Sequence, residues 1–201
     1  MSSEFFLNNF RISELTDELL ANCEPFACGH KDLDEFFQVD ATKYSRQMIG
    51  RTYVFQQNDK PGRIACAFSV SNDSLRVTEL SNRKQDRFRK EKHLDEKRLK
   101  RYPGILIGRL AVNEEFAHQG IGSALMVFIK TWLGQGNKAG CRFLIVDARN
   151  DRGVLEYYKK NRFEFLFSSE EEESVCTRKD KAIVPQATRL MYYDLMDVEN
   201  D

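Results

Sequence analysis

The chain has 201 residues, enough for one well-packed core, and its 31 Lys and Arg cancel its 31 Asp and Glu, which excludes a body that coats nucleic acid through bulk positive charge. With 41% hydrophobic residues, 15 Phe and only 4 Pro, the composition is globular, so one domain over residues 1–201 is expected. No apolar run approaches the length of a membrane span, and the opening Met-Ser-Ser-Glu-Phe-Phe lacks the cationic start of an export signal, so no membrane partner is expected. Cys23, Cys28, Cys66, Cys141 and Cys176 are odd in number and contain no CxxC pair, which predicts free thiols and a cytoplasmic setting. No second Cys/His pair follows Cys28-Gly29-His30 at ligand spacing, so no metal is expected.

Leu33, Phe36, Phe37, Ala41, Tyr44 and Met48 share one face at helical spacing, predicting a core-facing helix that Gly50 closes. Strands over 51–56 and 64–70 follow, joined by Asn58-Asp59-Lys60-Pro61-Gly62, a turn composition that predicts an antiparallel hairpin. Residues 83–101 hold ten Lys or Arg against four Asp or Glu and read as an exposed, partly helical basic insertion, either solvated or an electropositive surface. The near-continuous apolar run at 105–112 predicts a strand buried on both faces. Ile121, Ala124, Leu125, Phe128, Ile129 and Trp132 then recur at helical spacing, with Gly134, Gly136 and Gly140 at the exit. Beyond them come a strand over 142–148, a short helix over 151–161, a strand over 163–167, a solvated loop at 170–173 and a final strand over 188–195.

The segment Ala117-His118-Gln119-Gly120-Ile121-Gly122-Ser123 joins the central strand to its helix. Glycines there allow unusual dihedrals and a close ligand approach, and the helix start points N–H groups and a positive dipole end forward. That arrangement suits a phosphate or pyrophosphate, although the same spacing also serves as a plain turn. It is neither a Walker loop nor a Rossmann fingerprint.

A strand ending Leu-Ala-Val, a Gly-x-Gly turn opening an amphipathic helix, another strand and a helix ending Tyr157-Tyr158-Lys159-Lys160-Asn161-Arg162-Phe163 together resemble the GNAT (Gcn5-related) N-acetyltransferases. The resemblance spans about residues 25–195. It implies an α/β (α+β) fold with a mixed, mostly antiparallel central sheet, splayed in the middle and flanked by helices, that holds acetyl-CoA. In the family's pattern Arg/Gln-x-x-Gly-x-Gly/Ala, Gly120 and Gly122 match while Ala117 departs; in Tyr-x-x-x-Gly-Phe, Tyr158 and Phe163 match while Arg162 departs. The resemblance implies cofactor contacts from Leu110 and Val112 on the strand and from His118, Gln119, Gly120, Ile121, Gly122 and Ser123 in the loop. Phe26-Ala27-Cys28-Gly29-His30, Arg51-Thr52-Tyr53-Val54 and Gly108-Arg109-Leu110-Ala111-Val112 look like the branch containing toxins of toxin–antitoxin pairs that acetylate aminoacyl-tRNA. That branch implies a tRNA acceptor, with residues 83–101 as its basic contact, an antitoxin partner and a homodimer.

Acetyl transfer to an amine needs a neutral nitrogen, a polarised thioester carbonyl and a stabilised leaving thiolate. Tyr158 is the candidate acid, because a phenol near ~10 is protonated at neutral pH. Glu114, Glu115 and Asp147 each read as solvated or turn residues, so no general base is assigned. This gap favours an α-amine, which titrates near ~8 and is partly neutral unaided, over a lysine near ~10.4. Asn150 either contacts cofactor or caps the helix after it, capping being the expected role. A protein or small-molecule amine acceptor, and a non-catalytic acyl-CoA-binding module, stay open.

Overall fold

The computed structural model describes residues 3–94, 98–135, 140–178 and 185–200. Its helices are α1 (Ser3–Asn9), α2 (Asp17–Ala21), α3 (Lys31–Glu35), α4 (Ala41–Arg46), α5 (Asn82–Glu91), α6 (Ile121–Gly134), α7 (Arg152–Lys160) and α8 (Glu170–Arg178). The strands are β1 (Phe10–Glu14), β2 (Arg51–Gln57), β3 (Ile64–Arg76), β4 (Arg101–Val112), β5 (Phe143–Arg149), β6 (Glu164–Phe165) and β7 (Thr188–Asp194). Hydrogen-bonded neighbours follow the order β1-β2-β3-β4-β5-β7-β6. The β1/β2, β2/β3, β5/β7 and β6/β7 pairs are antiparallel, and β4/β5 is parallel. This is the expected mixed, mostly antiparallel sheet with flanking helices.

The chain forms two compact units, one of residues 1–72 and 107–135, the other of residues 73–106 and 136–201, so β3 and β4 each contribute to both. In the first unit, β2 and β3 form the expected hairpin, Val54 opposite Ala67. One face of this hairpin buries Val54, Ala67 and Ala111 with Phe26, Phe36, Phe37 and Ala41. The other packs on α6, with Phe55 and Phe128 ring centroids 4.9 Å apart and Tyr53 and Trp132 4.8 Å apart. Period-2 alternation lets one strand pair feed two cores.

The helix predicted over 33–48 is a composite: α3 runs into a π-helical turn at Phe36–Asp40 and then α4. Phe36, Phe37 and Ala41 are buried, while Met48, past the end of α4, is 80% exposed. The chain leaves the helix through a left-handed residue at Met48 (φ 56°), not at Gly50. The N-terminal α1 and β1 and the short α2 carried no recognised pattern. Thr16 caps α2 by accepting from Leu19 N–H (3.1 Å). β4 starts earlier than predicted and is not buried on both faces: Arg109 is exposed between Ile107 and Ala111, its buried neighbours on the same face.

The second unit corrects three further expectations. The basic segment contributes α5, whose Phe88 enters a core with Tyr102, Phe143, Ile145, Phe167 and Tyr192. Residues 95–97 of that segment lie outside the described residues. The strand predicted over 163–167 shrinks to Glu164–Phe165. The acidic run at 170–173 is no solvated loop: it opens α8, and Glu173 is 5% exposed. Glu173 accepts from Arg189 Nε (2.6 Å) and from Leu190 N–H (2.7 Å), so an acid that looks solvated in sequence anchors α8 to β7. Removing one partner of a buried pair leaves an uncompensated charge. Glu173→Ala should therefore cost about 3 kcal/mol or more in denaturant unfolding, whereas Glu171→Ala on the exposed face of α8 should leave the midpoint unchanged.

Candidate active site

In the first unit, a 3₁₀ turn at Glu114–Phe116 follows β4 and leads into the glycine loop. Asn113 fixes it: Oδ1 accepts from Glu115 N–H (3.1 Å), Nδ2 donates to Ile64 O (3.2 Å), and its own N–H donates to Ala65 O (2.9 Å). Arg63 on the hairpin pairs with Glu115, and its guanidinium lies 5.8 Å from the Phe116 ring centroid. The Glu115 carboxylate is engaged by Arg63, and the main chain at Glu114 is held by its N–H to Ala27 O (2.9 Å).

The loop turns through two left-handed residues, His118 (φ 60°) and Gly120 (φ 80°). Gly120 is the N-cap of α6 and supplies no side chain, and Ala124 N–H closes the first helical turn onto Gly120 O (3.1 Å). First-turn amides therefore face outward at the positive end of a 14-residue helix. His118, Gln119 and Gly120 are exposed, Gly122 and Ser123 half-buried, and Ile121 is 1% exposed, so Ile121 offers only its backbone. Gln119 Nε2 donates back to Glu115 O (2.8 Å), bracing the loop. These features fit a pyrophosphate held by backbone amides. A nearby cavity of about 200 Å³ does not: Glu24, Glu114 and Glu115 line it against Arg63 alone, a balance hostile to an anion. Leu110 and Val112 are both half-buried on β4.

In the second unit, Asp151 caps α7, its Oδ1 accepting from Gly153 and Val154 N–H (3.0 and 3.3 Å). Capping therefore falls one residue after Asn150. Asn150 instead joins the entry to β7, donating from Nδ2 to Gln186 O (3.0 Å). Tyr158 on α7 is 9% exposed, and burial pushes its phenol up to about 12. Asp147 on β5 is raised by partial desolvation and then by the carboxylates of Asp73 and Glu173.

The position of Arg162 is explained by the helix end. Arg162 N–H donates to Lys159 O (2.8 Å) and Phe163 N–H to Tyr158 O (2.9 Å), and Arg162 is left-handed (φ 61°). This is a Schellman termination, completed by the Tyr158 and Phe163 rings 5.3 Å apart. The bend that glycine makes freely is here made by an arginine, and it holds the Tyr158 ring. Arg162→Gly should exceed Arg162→Ala in stability by about 1 kcal/mol, a Tm difference of roughly 2–4 °C in calorimetry.

The fold and this site define an acetyltransferase. A family model for the acetyltransferase (GNAT) family matches residues 17–163, and the chain belongs to that family. It is an N-acetyltransferase, with acetyl-CoA as its acyl donor. Among solved structures it is similar to AtaT complexed with acetyl-methionyl-tRNAfMet (TM-score 0.70, 17% identity, covering 96% of this chain and 98% of that one). It is likewise similar to AtaTR bound with AcCoA (TM-score 0.64, 19% identity, 96% and 98% covered). A mutant AtaT toxin bound to the C-terminus of the antitoxin AtaR gives a TM-score of 0.65 at 18% identity, with 96% and 97% covered.

Proposed function

We propose that this protein transfers the acetyl group of acetyl-CoA to the α-amine of an aminoacyl-tRNA, acting as the toxin of a toxin–antitoxin pair. Near-complete coverage against AtaT with an acetylated methionyl-tRNA is the observation that carries the acceptor assignment. The match to AtaT with AtaR supports an antitoxin partner. No described helix is long and apolar enough to cross a membrane, and none of the five cysteines forms a disulfide, which fits a reducing cytoplasm. A single acetyltransferase domain, active as a homodimer, completes the reading.

Acetyl-CoA supplies an activated acetyl group and a thiolate leaving group. Backbone amides of residues 118–123 hold its pyrophosphate, so the Ala117 departure costs one side-chain contact and leaves the main grip intact. An N–H on β4 near Leu110 and Val112 polarises the thioester oxygen. The α-amine attacks in its neutral form, a new N–C bond replaces the C–S bond, and the nitrogen gives up a proton to water. A phenol at about 12 is a weaker acid than a thiol near ~8.5. Tyr158 therefore acts chiefly by donating a hydrogen bond to the developing thiolate, remaining protonated throughout the working pH range.

The basic helix carries less of the tRNA contact than its sequence suggests. Lys84 pairs with Glu172, Arg87 with Glu91, Arg89 with Asp86 and Lys92 with Glu164. Arg83 and Lys90 on the helix, and Arg98, Lys100 and Arg101 beyond it, are exposed and outside those pairs.

Incubating the protein with radiolabelled acetyl-CoA and a panel of charged tRNAs, peptides and small amines tests the acceptor. Label should enter an aminoacyl-tRNA, and exclusive labelling of peptides or small amines would overturn the assignment. Tyr158→Phe should lower kcat by about 10²–10³-fold while retaining acetyl-CoA affinity, with no loss of parent rate on the alkaline side attributable to the phenol. Gly120→Val, which forces a β-branched residue into a left-handed bend, should weaken acetyl-CoA binding in calorimetry by at least tenfold.

A further inference from the structure

One cation stands alone in the apolar middle of β4. Arg109 is exposed, although Ile107 and Ala111, its neighbours on the same face, are 3% and 5% exposed. Its guanidinium carbon lies 5.2 Å from the Phe36 ring centroid, and Nη1 donates to Gly108 O (2.8 Å). Phe36 is in turn supported edge-on by Phe37 (5.2 Å) and by Tyr44 (5.4 Å), which is 44% exposed. Arg46, Arg51, Arg63, Arg142 and Arg189 all face carboxylates. Among the described residues, Arg109 has no carboxylate partner.

A charge left without a counter-ion on a central strand calls for an explanation from outside the unit's own packing. The aromatic ring orients the guanidinium plane, one donor is committed to Gly108 O, and the remaining N–H groups of the planar fork are open to an oxyanion. This anion is not the cofactor's pyrophosphate. Side chains alternate along β4, so Arg109 and Ala111 face the α3–α4 core while Leu110 and Val112 face the opposite side, toward α6.

We infer that Arg109 is a specificity-determining contact that binds a backbone phosphate at the acceptor end of the tRNA. The inference rests on the acceptor proposed above. Three residues of strand put Arg109 and Val112 about 10 Å apart, a span that an aminoacyl nucleotide bridges between its α-nitrogen and its own phosphate. A phosphate at Arg109 would thus place the amine beside the β4 segment that polarises the thioester. A charged tRNA offers that phosphate, and the same amino acid as its methyl ester does not.

Arg109→Met keeps an apolar stem over Phe36 without the charge, and Arg109→Lys keeps charge without the fork; calorimetric acetyl-CoA binding checks that each folds. With the aminoacyl-tRNA that the parent acetylates, Arg109→Met should raise KM by roughly tenfold to a hundredfold. It should also flatten the log–log salt dependence of binding by about 0.7–0.9, and Arg109→Lys should recover part of both. The loss should exceed that on the matching amino-acid methyl ester by at least tenfold. Unchanged KM and salt slope on a charged tRNA that the parent acetylates would overturn the role of Arg109 alone. Equal losses on tRNA and methyl ester would overturn it in favour of packing against Phe36. A parent that acetylates no aminoacyl-tRNA would overturn the acceptor reading, and this inference with it.

Discussion

A close approach at Gly104 decides how β4 meets β5. A Cβ there would lie 2.6 Å from Ile145 Cδ1 and 3.0 Å from Phe143 O, so a larger residue would force β4 away from β5. With glycine, Gly104–Leu106 can run parallel beside Phe143–Ile145. The ladder is short. Past Leu106, β4 continues into the first unit and ends at the loop that opens α6, while β5 continues beside β7 and leads into α7 with Tyr158.

Backbone geometry does most of the positioning at both ends. The loop before α6 uses left-handed turns at His118 and Gly120, and α7 ends through a left-handed turn at Arg162. At Arg162 the termination also seats Phe163 against Tyr158, so one motif ends the helix and fixes the ring. Burial sets the chemistry of that ring. A phenol pushed to about 12 by desolvation is a poorer proton donor than a free one.

Charge is distributed by the fold in a way that composition hides. The zero formal total conceals a basic segment, four of whose cations are paired within the second unit, Lys84 with a glutamate 88 residues away. Arg189 and Glu173, the latter in an apparently solvated acidic run, meet in a buried contact. Arg109 shows the converse, drawn from an apolar stretch and left facing solvent with no carboxylate partner among the described residues.

The local patterns were legible because their causes are local. The 58–62 turn, the apolar spacing of α6, the glycines at its start and the Tyr158 to Phe163 segment depend on neighbouring dihedrals and periodicity, and they carried the family resemblance and the candidate site with them. A capping acid was also within reach, since Asp151 stands where helix starts favour such a residue, one position beyond Asn150. Only the tertiary structure decided the rest, because burial and pairing depend on residues distant in sequence. It turned the acidic loop into α8, took cations of the basic segment into ion pairs, ended α4 before Met48, and left Arg109 exposed on a strand that sequence alone read as wholly buried.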